Sequence, residues 1–575
     1  DGALSVRARP IATAFGLRFL AAYARERGWA LTPESEGRAA GASGAARRIA
    51  ADPAFVDLPL AHLPARRKQS LDGEWAYIVD PFEIGLSKPR PPRRSLHLDE
   101  RADANENPLI EYEWDSARRI QVPGDWNTQV PELHLYEGML WYHRRVRVAD
   151  VRTGERQFLY FEGANYRTRA WLNGAPIGEH AGGFTPFQFE VTGRLKRDAE
   201  NVIVIAVDAG REAQGVPAMD FDWFNYGGLT RSLHLVHVPA THLGAVRASL
   251  DADGRVALSA RVEGEAREGA TVRFAMPALG IEVDARVSDG EARATAQPRA
   301  FTAWSPQSPT LYELRAELRL GATIASPAAS ASASTAAPTA ASPLDAITDR
   351  VGLRRIETRG ADLYLNGERL FLRGISLHEE RFGAEGGRVR TAAEARALLE
   401  AAKDLGANFV RLAHYPHSEA TTRLADEMGL LVWSEIPVYW DEIRYGDPAT
   451  LALARRMQAV NVDRDFNRAS IILWSVANET SITPARNAFL RRLIHDARAF
   501  DGTRLVTAAL NKAQSAGNEI RIVDPLGDAL DVIAVNQYEG WYGQRSPADI
   551  TAVRFTSDFD KPFVFSEFGA DAPRT

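Results

Sequence analysis

Residues Ile471–Thr480 read IILWSVANET. Apolar and aromatic residues run unbroken into small and polar ones, and the stretch closes on an amide, Asn478, beside a carboxylate, Glu479. A strand buried on both faces is written in this way, and such strands belong to parallel sheets covered by helices. Phe563–Gly569, FVFSEFG, has the same shape and presents Glu567.

Outward from these two stretches, apolar runs alternate with helical ones. LFLRGISLHE (Leu370–Glu379) precedes TAAEARALLEAAKDLG (Thr391–Gly406), where Thr391 is an N-cap with Glu394 three residues on and Gly406 closes the helix. NFVRLAHYP (Asn408–Pro416) precedes SEATTRLADEMG, and GLLVWSEIPV (Gly429–Val438) precedes a helix near Leu451–Arg464. IILWSVANE precedes a helix over Arg486–Ala499, and RLVTAAL (Arg504–Leu510), LDVIAVNQY (Leu530–Tyr538) and PFVFSEFG (Pro562–Gly569) are further strands. The alternation predicts a (β/α)₈ TIM barrel over residues 348–575. Seven strands are counted where eight are needed, and the chain stops eight residues after Glu567. The expectation is a barrel truncated before strand 8.

Upstream the period is two. Short runs rich in Val, Tyr, Trp and Phe recur from Ser70–Asp80 to Arg231–Pro239, punctuated by turns such as Asn173-Gly174. They predict a jelly-roll sandwich over 67–240. A second β segment, 241–347, includes a hairpin turning at Asp253-Gly254 and suits an immunoglobulin-like sandwich. Within it, 325–343 holds only Ala, Ser, Thr and Pro, and reads as a loop. Residues 1–66 read as an extension of unassigned role. The fold class is therefore multidomain β plus α/β.

Composition limits the function. With 69 basic and 75 acidic residues no global field favours nucleic acid or an anionic membrane, and no apolar run spans a bilayer. The absence of cysteine excludes thiolate chemistry and a disulfide-built scaffold, and suits a cytoplasmic or periplasmic, bacterial-type setting. No His/carboxylate spacing suggests a metal or another cofactor. GAEGG (383–387) is a poor phosphate loop and reads as a βα connection. The expected partner is a carbohydrate or glycoconjugate, with homo-oligomerisation left open.

Barrel chemistry sits at the carboxyl ends of the strands. There the sequence places His378 and Glu379, then Arg411 and His414 with Tyr415, then Glu435, Asn478-Glu479, Asn536 with Tyr538, and Glu567. A single strand-end acid is usually solvated or salt-bridged; this many on one rim points to chemistry. Two carboxylates across a cleft suit glycoside hydrolysis, one protonating the leaving oxygen and the other attacking the anomeric carbon or activating water. Tyr538 is placed to donate to the nucleophile and Asn478 to bind a sugar hydroxyl. Arg411 reads equally well as a structural ion-pair partner and as a lining residue.

These residues carry a resemblance. WSVANE, FSEFGAD, ANFVRLAHYPHSE and FLRGISLHEE are similar to the barrel motifs of glycoside hydrolase family 2. NQYEGWY, DWFNYGGLTR, HAGGFTPF and LDGEWAY resemble its β-glucuronidase branch. The resemblance implies Glu479 as acid/base, Glu567 as nucleophile, and substrate-side positions for Asp222, His378, Arg411, His414, Asn478, Asn536 and Tyr538. It implies a retaining exo-β-glycosidase for β-D-glucuronides. The alternatives are a β-galactosidase or β-galacturonidase of the same family, and a non-catalytic carbohydrate-binding protein. Two departures stand out: ISLHEE differs from the usual residues before the His-Glu pair, and the Asn-x-Lys pair that reads the sugar acid in the branch does not occur in this sequence.

Overall fold

The computed structural model describes residues 57–86, 114–148, 151–320, 342–383, 386–511, 513–541 and 545–569. Most of the extension and nearly all of the Ala/Ser/Pro-rich stretch lie outside them.

Over residues 67–239 two antiparallel sheets face each other. The larger runs in the order Arg118–Val122, Gly73–Asp80, Met139–Arg147, Glu200–Asp208, Arg167–Leu172 and Ala175–Ala181. The smaller runs Arg67–Ser70, Leu233–Pro239, Glu155–Phe161 and Phe187–Glu190. Period-two burial along Arg167–Leu172 turns Thr168, Ala170 and Leu172 inward. Trp75, Tyr142, Leu159, Phe161 and Ile205 fill the space between the sheets. The Asn173-Gly174 turn closes its hairpin with both residues at positive φ, the backbone a tight hairpin requires.

A third antiparallel sheet follows, ordered His242–Leu250, Val256–Glu263, Glu291–Ala296, Ile281–Ser288, Thr271–Met276, Tyr312–Arg319 and Asp345–Val351. The first two strands form the expected hairpin. Strict alternation along Val256–Glu263 buries every second side chain against Val272, Phe274 and Leu318.

The parallel sheet has seven strands among the described residues: β1 (Gly374–Leu377), β2 (Phe409–Leu412), β3 (Leu431–Glu435), β4 (Ile471–Asn478), β5 (Leu505–Leu510), β6 (Ile533–Asn536) and β7 (Phe563–Glu567). They follow one another in chain order, and Ser376 Oγ donates to the Ser566 carbonyl at 3.3 Å, so β1 and β7 approach and the sheet is a nearly closed TIM barrel. All eight residues of β4 are buried, with the barrel interior on one side and helices on the other. Among the described residues four α-helices cover it: α1 (Ala392–Asp404), α2 (Glu419–Met428), α3 (Pro448–Asp465) and α4 (Pro484–Phe500). Thr391 and Glu394 cap α1 reciprocally, and Gly429 ends α2 at φ 70°.

Two local expectations are corrected. β1 is shorter than Leu370–Glu379, because Asn366-Gly367 folds Glu368–Leu370 back onto Asp362–Leu365 in a small antiparallel sheet. After β5 the described residues hold two short 3₁₀ helices, Pro525–Asp528 and Pro547–Ala552, in place of α-helices. Ala513–Ala516 and Glu519–Ile522 form a hairpin around Gly517-Asn518, and Arg554–Ser557 pairs with it before β7.

The layers share buried groups. Arg231 donates to Glu379 Oε2 and to the carbonyls of Pro416 and Phe184, all at 2.7 Å. Residues 57–66 insert Leu58, Leu60, Ala61 and Leu63 into the interior, and His62 Nδ1 lies 3.2 Å from Asp349.

Candidate active site

Phe409–Leu412 is buried throughout, so β2 carries Arg411 into the barrel mouth with its side chain 2% exposed. A guanidinium offers five donors in a rigid fork. Here Nη2 donates to Glu435 Oε1 at 2.9 Å and to Asn478 Oδ1 at 2.7 Å. Nη1 donates to Glu567 Oε1 at 2.6 Å and reaches Asn536 Oδ1 at 3.4 Å. One cation therefore joins β2, β3, β4, β6 and β7. Glu435 is its deepest partner, and also accepts from Trp433 Nε1 at 2.8 Å and Ser475 Oγ at 2.9 Å. Burial pushes its carboxyl up, but Arg411 and His414 outweigh this and hold it down to about 2.

His414 places Nδ1 2.7 Å from Glu435 Oε1, so the ring donates there and presents Nε2 toward Glu567, 3.6 Å away. Tyr538 donates its hydroxyl to Glu567 Oε2. Burial first, and the Glu567 charge second, push the phenol well above its ordinary value and keep it a donor. Both oxygens of Glu567 are thus engaged.

At the end of β4, Asn478 Oδ1 accepts from Arg411 and from Asn536 Nδ2, at 3.2 Å from the latter. This orients its NH₂ toward Glu479 Oε2, 3.4 Å away. Glu479 has a left-handed φ of 49° and donates its backbone N–H to the Ala509 carbonyl. Its Oε2 also accepts from Trp440 Nε1 at 3.1 Å.

The wall comes from both layers. Phe184, Phe221 and Trp223 from the β-sandwich pack with Tyr415 and Tyr439 from the barrel. Trp223 lies over His414, ring centres 5.8 Å apart, and edge-on to Tyr439 at 5.0 Å. Asp222, its neighbour, is exposed and sets its charge beside the Tyr439 phenol. Arg388, returning from the Gly-rich loop, lies against the rings of Phe184 and Tyr415 and donates to the Tyr415 hydroxyl at 2.7 Å. That hydroxyl is left to donate to His378 Nδ1, 3.3 Å away, so the ring carries its proton on Nε2. Burial, then the nearby His414, pushes His378 down to about 3 and keeps it neutral.

All nine residues singled out from the sequence meet at this mouth, Asp222 and His378 through their tyrosine partners. Sequence reasoning missed Tyr439 and Trp440, Trp223, and Arg388, which pairs behind His378 with the Tyr415 already placed at the rim. The available signal was aromatic: Tyr439-Trp440 follows the β3 exit directly, and Trp223 adjoins Asp222. Among the described residues no group of three or more His, Asp and Glu side chains is arranged to hold a metal; Arg411 occupies the centre that their charges share.

Residues 356–574 match the family model described as glycosyl hydrolases family 2, TIM barrel domain, and residues 68–239 match the sugar binding domain of the same family. A Formosa agariphila protein is 27% identical over 538 residues, which is 88% of this chain and 57% of that protein. The chain spans little more than half the length of that relative. The β-glucuronidase of Rattus norvegicus is 27% identical over 572 residues, 88% of this chain and 78% of the rat protein. The structure of Bifidobacterium dentium β-glucuronidase complexed with coumarin-3-O-glucuronide shares the fold at a TM-score of 0.71 and 24% identity, over 88% of this chain and 84% of that one.

Proposed function

The chain belongs to glycoside hydrolase family 2, and on that premise we propose that it is a retaining exo-β-glycosidase acting on β-D-glucuronides. The carrying observation is the pair of acids at the ends of β4 and β7, each held by its own donors and joined through Asn478 and Arg411. The names of similar proteins support the glucuronide. In this reading the layers are a sugar-binding jelly roll over 67–240, an immunoglobulin-like sandwich over 241–347 and the catalytic barrel from 348. The jelly roll supplies Asp222 and Trp223 to the sugar cleft.

A carboxylate oxygen of Glu567 attacks the anomeric carbon as the glycosidic C–O bond breaks, and Glu479 gives its proton to the departing oxygen. The product is a glycosyl ester on Glu567. Water then attacks the same carbon, passing a proton to Glu479, and the ester bond breaks. Tyr538 and Arg411 orient Glu567, Asn478 and Asn536 offer amides to sugar hydroxyls, and neutral His378 offers Nε2–H.

A panel of nitrophenyl β-glycosides tests the branch, with turnover of glucuronide above galactoside and galacturonide expected. The Glu567→Gln variant should lose on the order of 10³-fold or more in kcat. Unchanged hydrolysis by that variant would exclude the mechanism.

A further inference from the structure

We propose that Trp440 is a positioning residue for proton delivery: its indole N–H secures Oε2 of Glu479, so that the proton is carried on, and given from, Oε1. The inference rests on the reading of Glu479 as the acid.

Three observations carry it. The first is the asymmetry of the carboxylate. Oε2 accepts from Trp440 Nε1 at 3.1 Å and lies 3.4 Å from Asn478 Nδ2, whereas among the described residues no donor reaches Oε1. A proton on Oε2 would meet an N–H donor head-on, while one on Oε1 meets none.

The second is the backbone. Trp440 and Glu479 both adopt left-handed φ, 52° and 49°. For residues with a Cβ this conformation costs on the order of 1–2 kcal/mol, and for a bulky aromatic it persists only where the surroundings impose it. They do so on both sides. Trp440 donates its N–H to the Asn478 carbonyl at 3.0 Å and accepts the Tyr445 hydroxyl on its own carbonyl at 2.8 Å. Glu479 donates its N–H to Ala509 at 2.8 Å and accepts Asn511 Nδ2 at 3.3 Å. Tyr439 and Asn478 are bridged in parallel between them. The β3 exit and the β4 end are thus locked together in the register that brings indole to carboxylate.

The third is placement. Trp440 is half-buried at the mouth, against Tyr439 of the aromatic wall, so the indole can serve the acid and still border the leaving group's side of the cleft. The Tyr439 and Tyr538 phenols both feel the Glu479 charge, and the Glu567 charge across the cleft as well. Burial pushes both far above neutrality, so neither competes as a proton source in the working range. Asp441, beside Trp440 in the chain, is taken up by the Ser481 N–H and hydroxyl.

An N–H donor to the ionised form favours that form, so its removal moves the alkaline limb of kcat/KM upward. For Trp440→Phe the expected rise is about one pH unit, the effect of one hydrogen bond to a charged group. With an alkyl glycoside, whose departure needs the proton, kcat should fall about 10-fold, and with a 2,4-dinitrophenyl glycoside it should stay within about 2-fold. Replacing Trp440 by benzothienylalanine keeps the ring shape and removes only the N–H, and should reproduce both effects. An unmoved limb in that variant, with a change in KM alone, would overturn the proposal and make Trp440 a wall of the cleft. Glu479→Ala separates the two readings. If it loses the alkyl substrate and recovers turnover with azide while the Trp440 variants leave the limb in place, the acid stands and the positioning role falls. If Glu479→Ala still hydrolyses the alkyl glycoside, both fall.

Discussion

At the residue scale the most informative side chain is Arg411. From the sequence it had two readings, a structural ion-pair partner or a lining residue of the site, and the geometry shows why they do not compete. The same guanidinium lies against a fully buried Glu435 and against Glu567, whose side chain is 16% exposed. Taking a partner from a buried charge costs about 3–5 kcal/mol, because the remaining charge stays behind without compensation. Arg411→Ala should therefore lower stability by that order as well as abolish activity. Arg411→Lys keeps the charge but cannot reach Glu435, Asn478 and Glu567 together, since an ammonium lacks the fork. The expected outcome for Arg411→Lys is a smaller loss of stability in chemical denaturation with kcat still reduced about 100-fold or more. Wild-type kcat in Arg411→Lys would show that charge alone suffices at this position.

At the scale of elements, local sequence signals were read well wherever the determinants are local. Thr391 and Glu394 announced the start of α1, and the backbone N–H groups of both residues are capped as the pattern requires. Replacing Thr391 by alanine should cost about 1 kcal/mol in urea unfolding and leave kcat/KM unchanged, because the cap touches no site residue. A changed kcat/KM would mean that the Gly-rich loop and Arg388 depend on this cap. Helix α3, expected near Leu451–Arg464, spans Pro448–Asp465 although its burial is not amphipathic. Most of its residues from Ala454 to Asp465 are buried, polar ones included, so it has no clean amphipathic pattern to read. The reason is tertiary: Leu58 packs on Ala459 and Val460, and Arg247 and Arg261 both reach Asp463 from the sheet that begins at His242. The β1 boundary was misjudged for a related reason. An apolar run cannot show where an Asn-Gly turn hands it from a hairpin to the barrel.

At the scale of the whole molecule, charge and burial combine along the junction between sandwich and barrel. Burial opposes the Glu379 charge, yet Arg231 holds that carboxyl down to about 2, as Arg411 does for Glu435. Burial pushes His378 and His180 down to about 3 and His417 to about 4. For the carboxyls, stability is present above the unfolded value of about 4.5 and is lost as pH falls toward 2. The histidines act in the same direction but earlier. Below about 6.5 the unfolded chain takes up protons that the folded one refuses, so stability falls with falling pH there too. Urea midpoints measured from pH 7 to pH 4 should decline progressively, before Glu379 or Glu435 is protonated in the folded state; a flat profile across that range would contradict the burial of these rings. The sequence by itself determined the alternation of strand types, the parallel barrel and the two acids, because each is written in short-range periodicity and at strand ends. Only the tertiary structure decided which oxygen of Glu479 is held, which tautomer His378 adopts and what neutralises Glu435. Those outcomes depend on groups brought from distant parts of the chain, Trp440, Tyr415 with Arg388, and Arg411, and local pattern carries no record of which distant donor will arrive.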